Sequence, residues 1–490
     1  MNPVLTQFES WCKIPHPSHH TEAMQAWLKQ FAASRSLDCE TDSVGNVLIR
    51  KPASPDRLDA PPVALQAHID MVPQPLEGRD WAHDPVTVRF VPQGEDAEFP
   101  DVALLKADGT TLGADCGIGA CTMLALLAGD DPLPALECLF TVDEETGMHG
   151  ANALRPDWLK AKYLLNLDTE SEGVLMTACA GAVDLTARFR YGLTTVIPEG
   201  DQAIRLKLSG LQGGHSGMDI HMGRGNACKL MCRFLKHAVV NFEARLSSFN
   251  AGSLRNAIPR TAEAVITVPG EIAAEVIDEV AYYQDLFRDE LRGIDPGVNF
   301  SAEICAAPAA LMPEEIQDDI LNTIEAVHDG VFRYSPDIPG LVETSSNLAS
   351  VSSHFIPDSN QPAGETEVLC LVRSQGEETK RWMASSIQST FLLGGARVEF
   401  GSSYPGWELS SDSLLLSRAK EVWRRTFGND PVVTGVHCGL ECGVIASLYP
   451  HMDILSIGPT IHHPHSPNES VEIESVDRFW TFIRALLASF

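Results

Sequence analysis

Four apolar segments of this chain end abruptly in an acid or a histidine: LQAHID (Leu65 to Asp70), TLGADCG (Thr111 to Gly117), LFTVDEETG (Leu139 to Gly147) and YLLNLDTE (Tyr163 to Glu170). Short apolar runs without alternation read as strands covered on both faces, and parallel α/β sheets gather their chemistry at the carboxyl ends of such strands. Four such endings in one half of the chain call for an α/β fold with a single shared site. Asp143, Glu144 and Glu145 stand side by side. Adjacent carboxylates at the end of a buried strand repel one another unless a cation sits among them. A metal centre is therefore the expectation.

At 490 residues the chain exceeds one ordinary core, so two domains are expected. Its formal charge of −30 opposes nucleic acid and anionic membrane surfaces. No apolar run of about 18 residues marks a membrane span. The start MNPVLTQFESWCKIPHP has neither the basic nor the apolar region of a secretory leader, so a cytoplasmic location is expected. The 12 cysteines are scattered and read as reduced thiols. Cys228/Cys232 and Cys438/Cys442 lack the partner set of a zinc finger.

In chain order, residues 3–36 read as two helices around PHPSHH (Pro15 to His20), whose histidines suit a turn. VGNVLIRKPA and PPVALQAHID read as strands, and 73–101 as an irregular or hairpin excursion. Asp115 falls in a loop ahead of a helix over 118–127, where a carboxylate is favoured as cap or ligand. ALECLFTV is a strand, ANALRPDWL a short helix and AKYLLNLD a strand. From 183 to 403 strands (AIRLKLSGL, AEAVITVP, VNFSAEI, TEVLCLVRS) alternate with helices near 224–247, 271–292, 313–328 and 377–392. No strand there ends in acids, which suggests an inserted α+β domain. The α/β pattern returns with helices near 411–427 and 474–488 around the strand MDILSIGP. The expected layout is a first catalytic part at 1–186, an insert at 187–403 and a second catalytic part at 404–490.

Several side chains have chemistry to offer. His68 and Asp70 share one side of an extended chain, so one can bind metal while the other takes the second ring N–H. Asp115, with two oxygens and glycines around it, can cap a helix or bridge two metals. Of Glu144 and Glu145 one can ligate while the other acts as base, and Asp168 can be a terminal ligand or a turn residue. One of His462, His463 and His465 suits a ligand, though the residue chemistry does not choose among them. His215, in GGHSG, lies in the insert and reads as a loop histidine.

The blocks LQAHIDM, TLGADCGIG, DEETGMHGA, NLDTE, GGHSGMDIHMGRGNA, LRNAIPR, HCGLECG and SIGPTIHHPHSPNESVEIESV, in that order, resemble the di-zinc aminopeptidase family that includes aminoacylases and carnosinases. The resemblance spans nearly the whole chain and is strongest to the aminoacyl-histidine (Xaa-His) dipeptidase branch. It implies a split catalytic domain with a lid and dimerisation insert, a cytoplasmic homodimer, and hydrolysis of Xaa-His and related dipeptides with two zinc ions, cobalt or manganese being possible substitutes. It further implies that His68 and Asp168 bind one zinc, Glu145 and His465 the other, and that Asp115 bridges, with a cis peptide at Asp115–Cys116. Asp70 would orient His68, Glu144 would be the general base and His215 would polarise the scissile carbonyl. Asn256 and Arg373 match positions that hold the substrate carboxylate. Two residues depart from the family pattern, Cys116 in place of Asn or Asp and His149 in place of Asp, and neither is an expected ligand. The competing readings are an aminoacylase-type amidohydrolase on N-acyl amino acids and a non-catalytic metal-containing peptide binder; retention of both Glu144 and Glu145 opposes the second.

Overall fold

The computed structural model describes residues 2–193, 196–356, 363–408 and 412–490. The protein is α/β and forms two compact units, one made of 1–178, 407–435 and 440–490, the other of 179–406 and 436–439.

The first unit is built on an eight-stranded sheet. Its four central strands, in spatial order Leu136–Thr141, Val63–His68, Tyr163–Asn166 and Asp453–Ser456, are mutually parallel. Val63–His68 and Leu136–Thr141 are buried at every residue, which is why both read as unbroken apolar runs. The register sets His68 against Thr141 and Gln66 against Asn166, so the chain segments that follow these strands emerge together at one edge. Antiparallel strands Asp38–Thr41 and Val47–Lys51 extend the sheet on one side. Helices Pro3–Trp11, Ala114–Ala128 and Ile473–Ala488 supply much of the core that covers it.

The excursion after Pro73 contains the strand Val88–Val91, which pairs with Leu104–Ala107. That pair continues into Ser470–Glu472 and Ile461–His462, making a four-stranded sheet that holds both ends of the His463–Glu469 loop.

The second unit carries a nine-stranded sheet whose pairings are antiparallel. Burial alternates along Ala262–Pro269 and much of Ala363–Ser374, as in a sheet covered on one face. Helices Ala227–Phe242, Ala273–Glu290, Glu314–Ala326 and Glu377–Leu393 share its core.

Local departures from the sequence reading have local causes. The helix expected over ANALRPDWL is only His149–Asn152, because Pro156 disfavours helical backbone at Arg155. The helix expected to 247 stops at Phe242, where Glu243 turns left-handed at φ 50° and the strand Arg245–Gly252 begins. The helix expected from 411 spans Leu414–Phe427; position 411 lies outside the described residues.

Candidate metal centre

Three arms of the site, His68, the Glu144–Glu145 turn and Asp168, end or follow central strands, while Asp115 stands at the start of the helix Ala114–Ala128 and His465 in the loop between two strands of the four-stranded sheet. His68 ends its strand, and its ring Nδ1 lies 2.9 Å from the backbone oxygen of Asp70 and 3.5 Å from that residue's Oδ1. Asp70 contributes its carbonyl to the ring more closely than its carboxylate. That carboxylate accepts instead from Ser18 Oγ at 2.8 Å and from the backbone N–H groups of Glu144 and Glu145 at 3.0 and 3.3 Å, anchoring the neighbouring acidic turn. Within that turn Asp143 faces away, accepting the His19 N–H at 2.6 Å.

Asp115 stands at the centre. One oxygen, Oδ1, is 3.3 Å from His68 Nε2; the other, Oδ2, is 3.1 Å from His465 Nε2. Asp168 Oδ1 lies 3.3 Å from His68 Nε2, and Glu145 Oε1 lies 2.9 Å from His465 Nε2. Both carboxylate oxygens are buried without a properly directed hydrogen bond, though each sits close to an imidazole. Two ligand atoms on one tetrahedral zinc, each about 2.0–2.2 Å from the ion, stand about 3.3–3.6 Å apart. The spacing and the two orphaned oxygens fit donors arranged to hold divalent metal, with Asp115 between the two imidazoles.

The electrostatics favour positive charge at this point. Burial would lower the His68 pKa, but Asp168, Asp115 and Asp70 raise it well above the usual value. Asp115 and Glu145 raise His465 to about 11. Burial, reinforced by Asp168, Glu441 and Glu145, raises Glu144 well above the ordinary carboxylate range. Glu144 thus has the proton affinity of a base while standing beside the cluster.

Two buried acids support the site, and the sequence reading assigned neither a role. Glu469 accepts the backbone N–H groups of Leu112, Gly113, Ala114 and Asp115 at 2.7, 3.0, 2.8 and 3.3 Å. It thereby ties the His465 turn to the loop that presents Asp115. Glu441 bonds Gln66 Nε2 and, at 2.7 Å, Thr141 Oγ1, cross-linking two strands beneath the cluster. The only sequence signal for either is an acid inside an otherwise apolar or turn-forming block.

The other expected residues are placed as follows. His462 stacks on Phe99 with ring centroids 3.8 Å apart and bonds Glu472, while His463 bonds Glu98, so His465 alone of the three joins the cluster. The Asp115–Cys116 peptide is cis. The Cys116 thiol donates to the Leu167 carbonyl at 3.2 Å, with its sulfur within 4.8 Å of the His68 and Asp168 donor atoms; His149 is exposed. In the second unit, His215 Nδ1 accepts the N–H groups of Gly217 and Met218, both at 3.1 Å. The proton of the neutral ring is thereby assigned to Nε2, and burial with Arg373 keeps the ring's pKa below the usual value. Asn256 is exposed, and its carbonyl accepts the Ser216 N–H at 2.8 Å. Arg373 is buried within the same unit.

The pattern of the peptidase family M20/M25/M40 matches residues 64–489. Over 486 residues the chain is 39% identical to the cytosol non-specific dipeptidase of Escherichia coli, covering 99% of this chain and 97% of that one. Among solved structures, the aminoacylhistidine dipeptidase of Vibrio alginolyticus superposes with a TM-score of 0.88 at 38% identity, covering 100% of this chain and 96% of that one. Aminopeptidase PepT of Bacillus cereus shares the fold at a TM-score of 0.58 and 16% identity, covering 99% of this chain and 97% of that one. With a matched pattern over most of its length, a full-length relative and a cluster of metal-ligand type, the chain belongs to peptidase family M20/M25/M40 and is a dipeptidase that binds divalent metal.

Proposed function

We propose that this dipeptidase hydrolyses Xaa-His and related dipeptides at a centre where His68 and Asp168 hold one zinc ion, Glu145 and His465 hold a second, and Asp115 spans both. Cobalt or manganese would suit the same oxygen and nitrogen donors. The observation that carries this reading is the pairing of each Asp115 oxygen with a different histidine, each of which also meets a further carboxylate.

When bound, the ions supply a water that ionises near neutral pH and a Lewis acid for the carbonyl. Glu144 takes the proton of the attacking water on its carboxylate and returns it to the nitrogen of the leaving amine. Asp70 holds the base in place through the Glu144 N–H. His215 donates its Nε2–H to the oxygen that gains charge as the carbonyl becomes tetrahedral, a role supported by its tautomer. Arg373 receives the substrate carboxylate, and Asn256 lies in the turn beside His215. A cytoplasmic location, supported by the name of the Escherichia coli relative, and a homodimer, supported by the family resemblance alone, belong to the same reading.

Glu144→Gln keeps the shape of the base and removes its proton affinity. Turnover of an Xaa-His dipeptide should fall about 10²–10⁴-fold, with two metal ions per chain still found by elemental analysis. Undiminished turnover would remove Glu144 from the mechanism. A panel of Xaa-His dipeptides, other dipeptides and N-acetyl amino acids reads the substrate class directly.

A further inference from the structure

Arg373, in the strand Ala363–Ser374, is the one buried arginine among the described residues, with 5% of its surface exposed. It forms no ion pair with a carboxylate among those residues. Its guanidinium is held by hydroxyls: Nε donates to Ser216 Oγ at 3.3 Å and Nη1 to Tyr404 Oη at 2.9 Å. The carboxylate that senses its charge, Asp184, is ion-paired with Arg255 at 3.6 Å, and a buried cation whose own hydrogen-bond partners are all neutral is costly unless an anion completes it. The nearby imidazoles do not alter this. Burial and Arg373 lower the pKa of His215, and together they hold His437 at about 3, so both rings stay neutral beside a fixed positive charge.

Tyr404 is itself fixed on more than one side. It ends the strand Arg397–Tyr404 opposite Ala182, and its carbonyl accepts Lys380 Nζ at 2.6 Å. Its ring lies flat enough against Gly439 that a Cβ there would come within 2.8 Å of Cε2. The phenol oxygen accepts from Arg373 through a lone pair, so its own O–H keeps the role of a donor.

We infer that Tyr404 is a specificity-determining residue that aims Arg373 at the substrate's terminal carboxylate and adds a second donor to it. This rests on the reading of Arg373 as the carboxylate anchor. Two donors from different strands, one charged and one neutral, then grip a single carboxylate, and a substrate whose terminus is amidated gains little from either. The subsite therefore selects short peptides with a free carboxyl end lying at the reach of Arg373.

The test compares kcat/KM for one Xaa-His dipeptide and for its carboxamide in the wild type, Tyr404→Phe and Arg373→Met. Tyr404→Phe removes one oxygen and should lower the ratio of free acid to amide about tenfold, mostly through KM for the acid. Arg373→Met should lower it further. If Arg373→Met collapses the ratio and Tyr404→Phe leaves it unchanged, or lowers both substrates equally, the inference about Tyr404 is overturned while the anchor stands. If Arg373→Met leaves the ratio unchanged, the anchor reading fails and takes the inference with it.

Discussion

At the scale of single residues, the histidines of IHHPH show how close packing chooses among equals. His462, His463 and His465 offer identical chemistry, and the first two are occupied by Phe99, Glu472 and Glu98. None of those partners is adjacent in sequence, which is why residue chemistry alone left all three open. Glu469 is the complementary case, an acid in a turn whose importance comes from four backbone donors some 350 residues away. Each buried donor left without an acceptor costs about 1–3 kcal/mol. Glu469→Ala should therefore destabilise the protein by at least about 3 kcal/mol in urea unfolding, and Glu469→Gln, which keeps one acceptor oxygen, by less. A loss below about 1 kcal/mol for the alanine variant would show that water replaces the carboxylate at these N–H groups.

At the scale of elements, the parallel strands were legible because both of their faces are buried, so nothing interrupts the apolar run. Among the described residues the longest strand of the second unit, Val342–Ile356, has a weak apolar signal because it is rich in serine. Ser345, Ser346, Ser350 and Asn347 are buried within the sheet, where Ser345 bonds His437, Asn347 bonds the carbonyls of Arg255 and Ala257, and Ser346 bonds that of His328. Polar residues satisfied by neighbouring strands carry no hydrophobic signature. The helix Ala114–Ala128 presents a different constraint, since it must lie close against the segment that ends in Asp168. A Cβ at Gly119 would fall 2.5 Å from the Leu167 carbonyl oxygen and 2.8 Å from Leu167 Cβ. Backbone cannot give way as a flexible side chain does, so Gly119→Ala should push the helix, and Asp115 with it, away from Asp168. The expected cost is about 1–3 kcal/mol, together with weaker metal retention on dialysis; a variant as stable and as metal-rich as the wild type would refute the close-approach argument.

At the scale of the whole molecule, a chain of formal charge −30 concentrates several of its buried acids at one point. Repulsion among them is tolerable because cations are bound there, and whatever binds the native state alone stabilises it. Stripping metal with a chelator should lower the thermal midpoint by at least about 5 °C, since binding at about 1,000 times the dissociation constant contributes about 4 kcal/mol. Readdition of zinc should restore the midpoint. Equal midpoints with and without metal would mean that the cluster holds its shape unaided.

What the sequence by itself determined is local: which stretches are apolar enough to be central strands, that three of them run into an acid or a histidine, and that a metal is the economical reason for three consecutive carboxylates. Those properties depend on the order of neighbouring residues, and neighbours are what a sequence displays. Which histidine faces Asp115, that Asp70 clasps the Glu144 turn, that Glu469 holds the opposite loop and that Tyr404 steadies a buried guanidinium were decided only by the tertiary structure. Each of those contacts joins residues brought together by sheet register and loop closure, and their energies depend on burial that no linear pattern records.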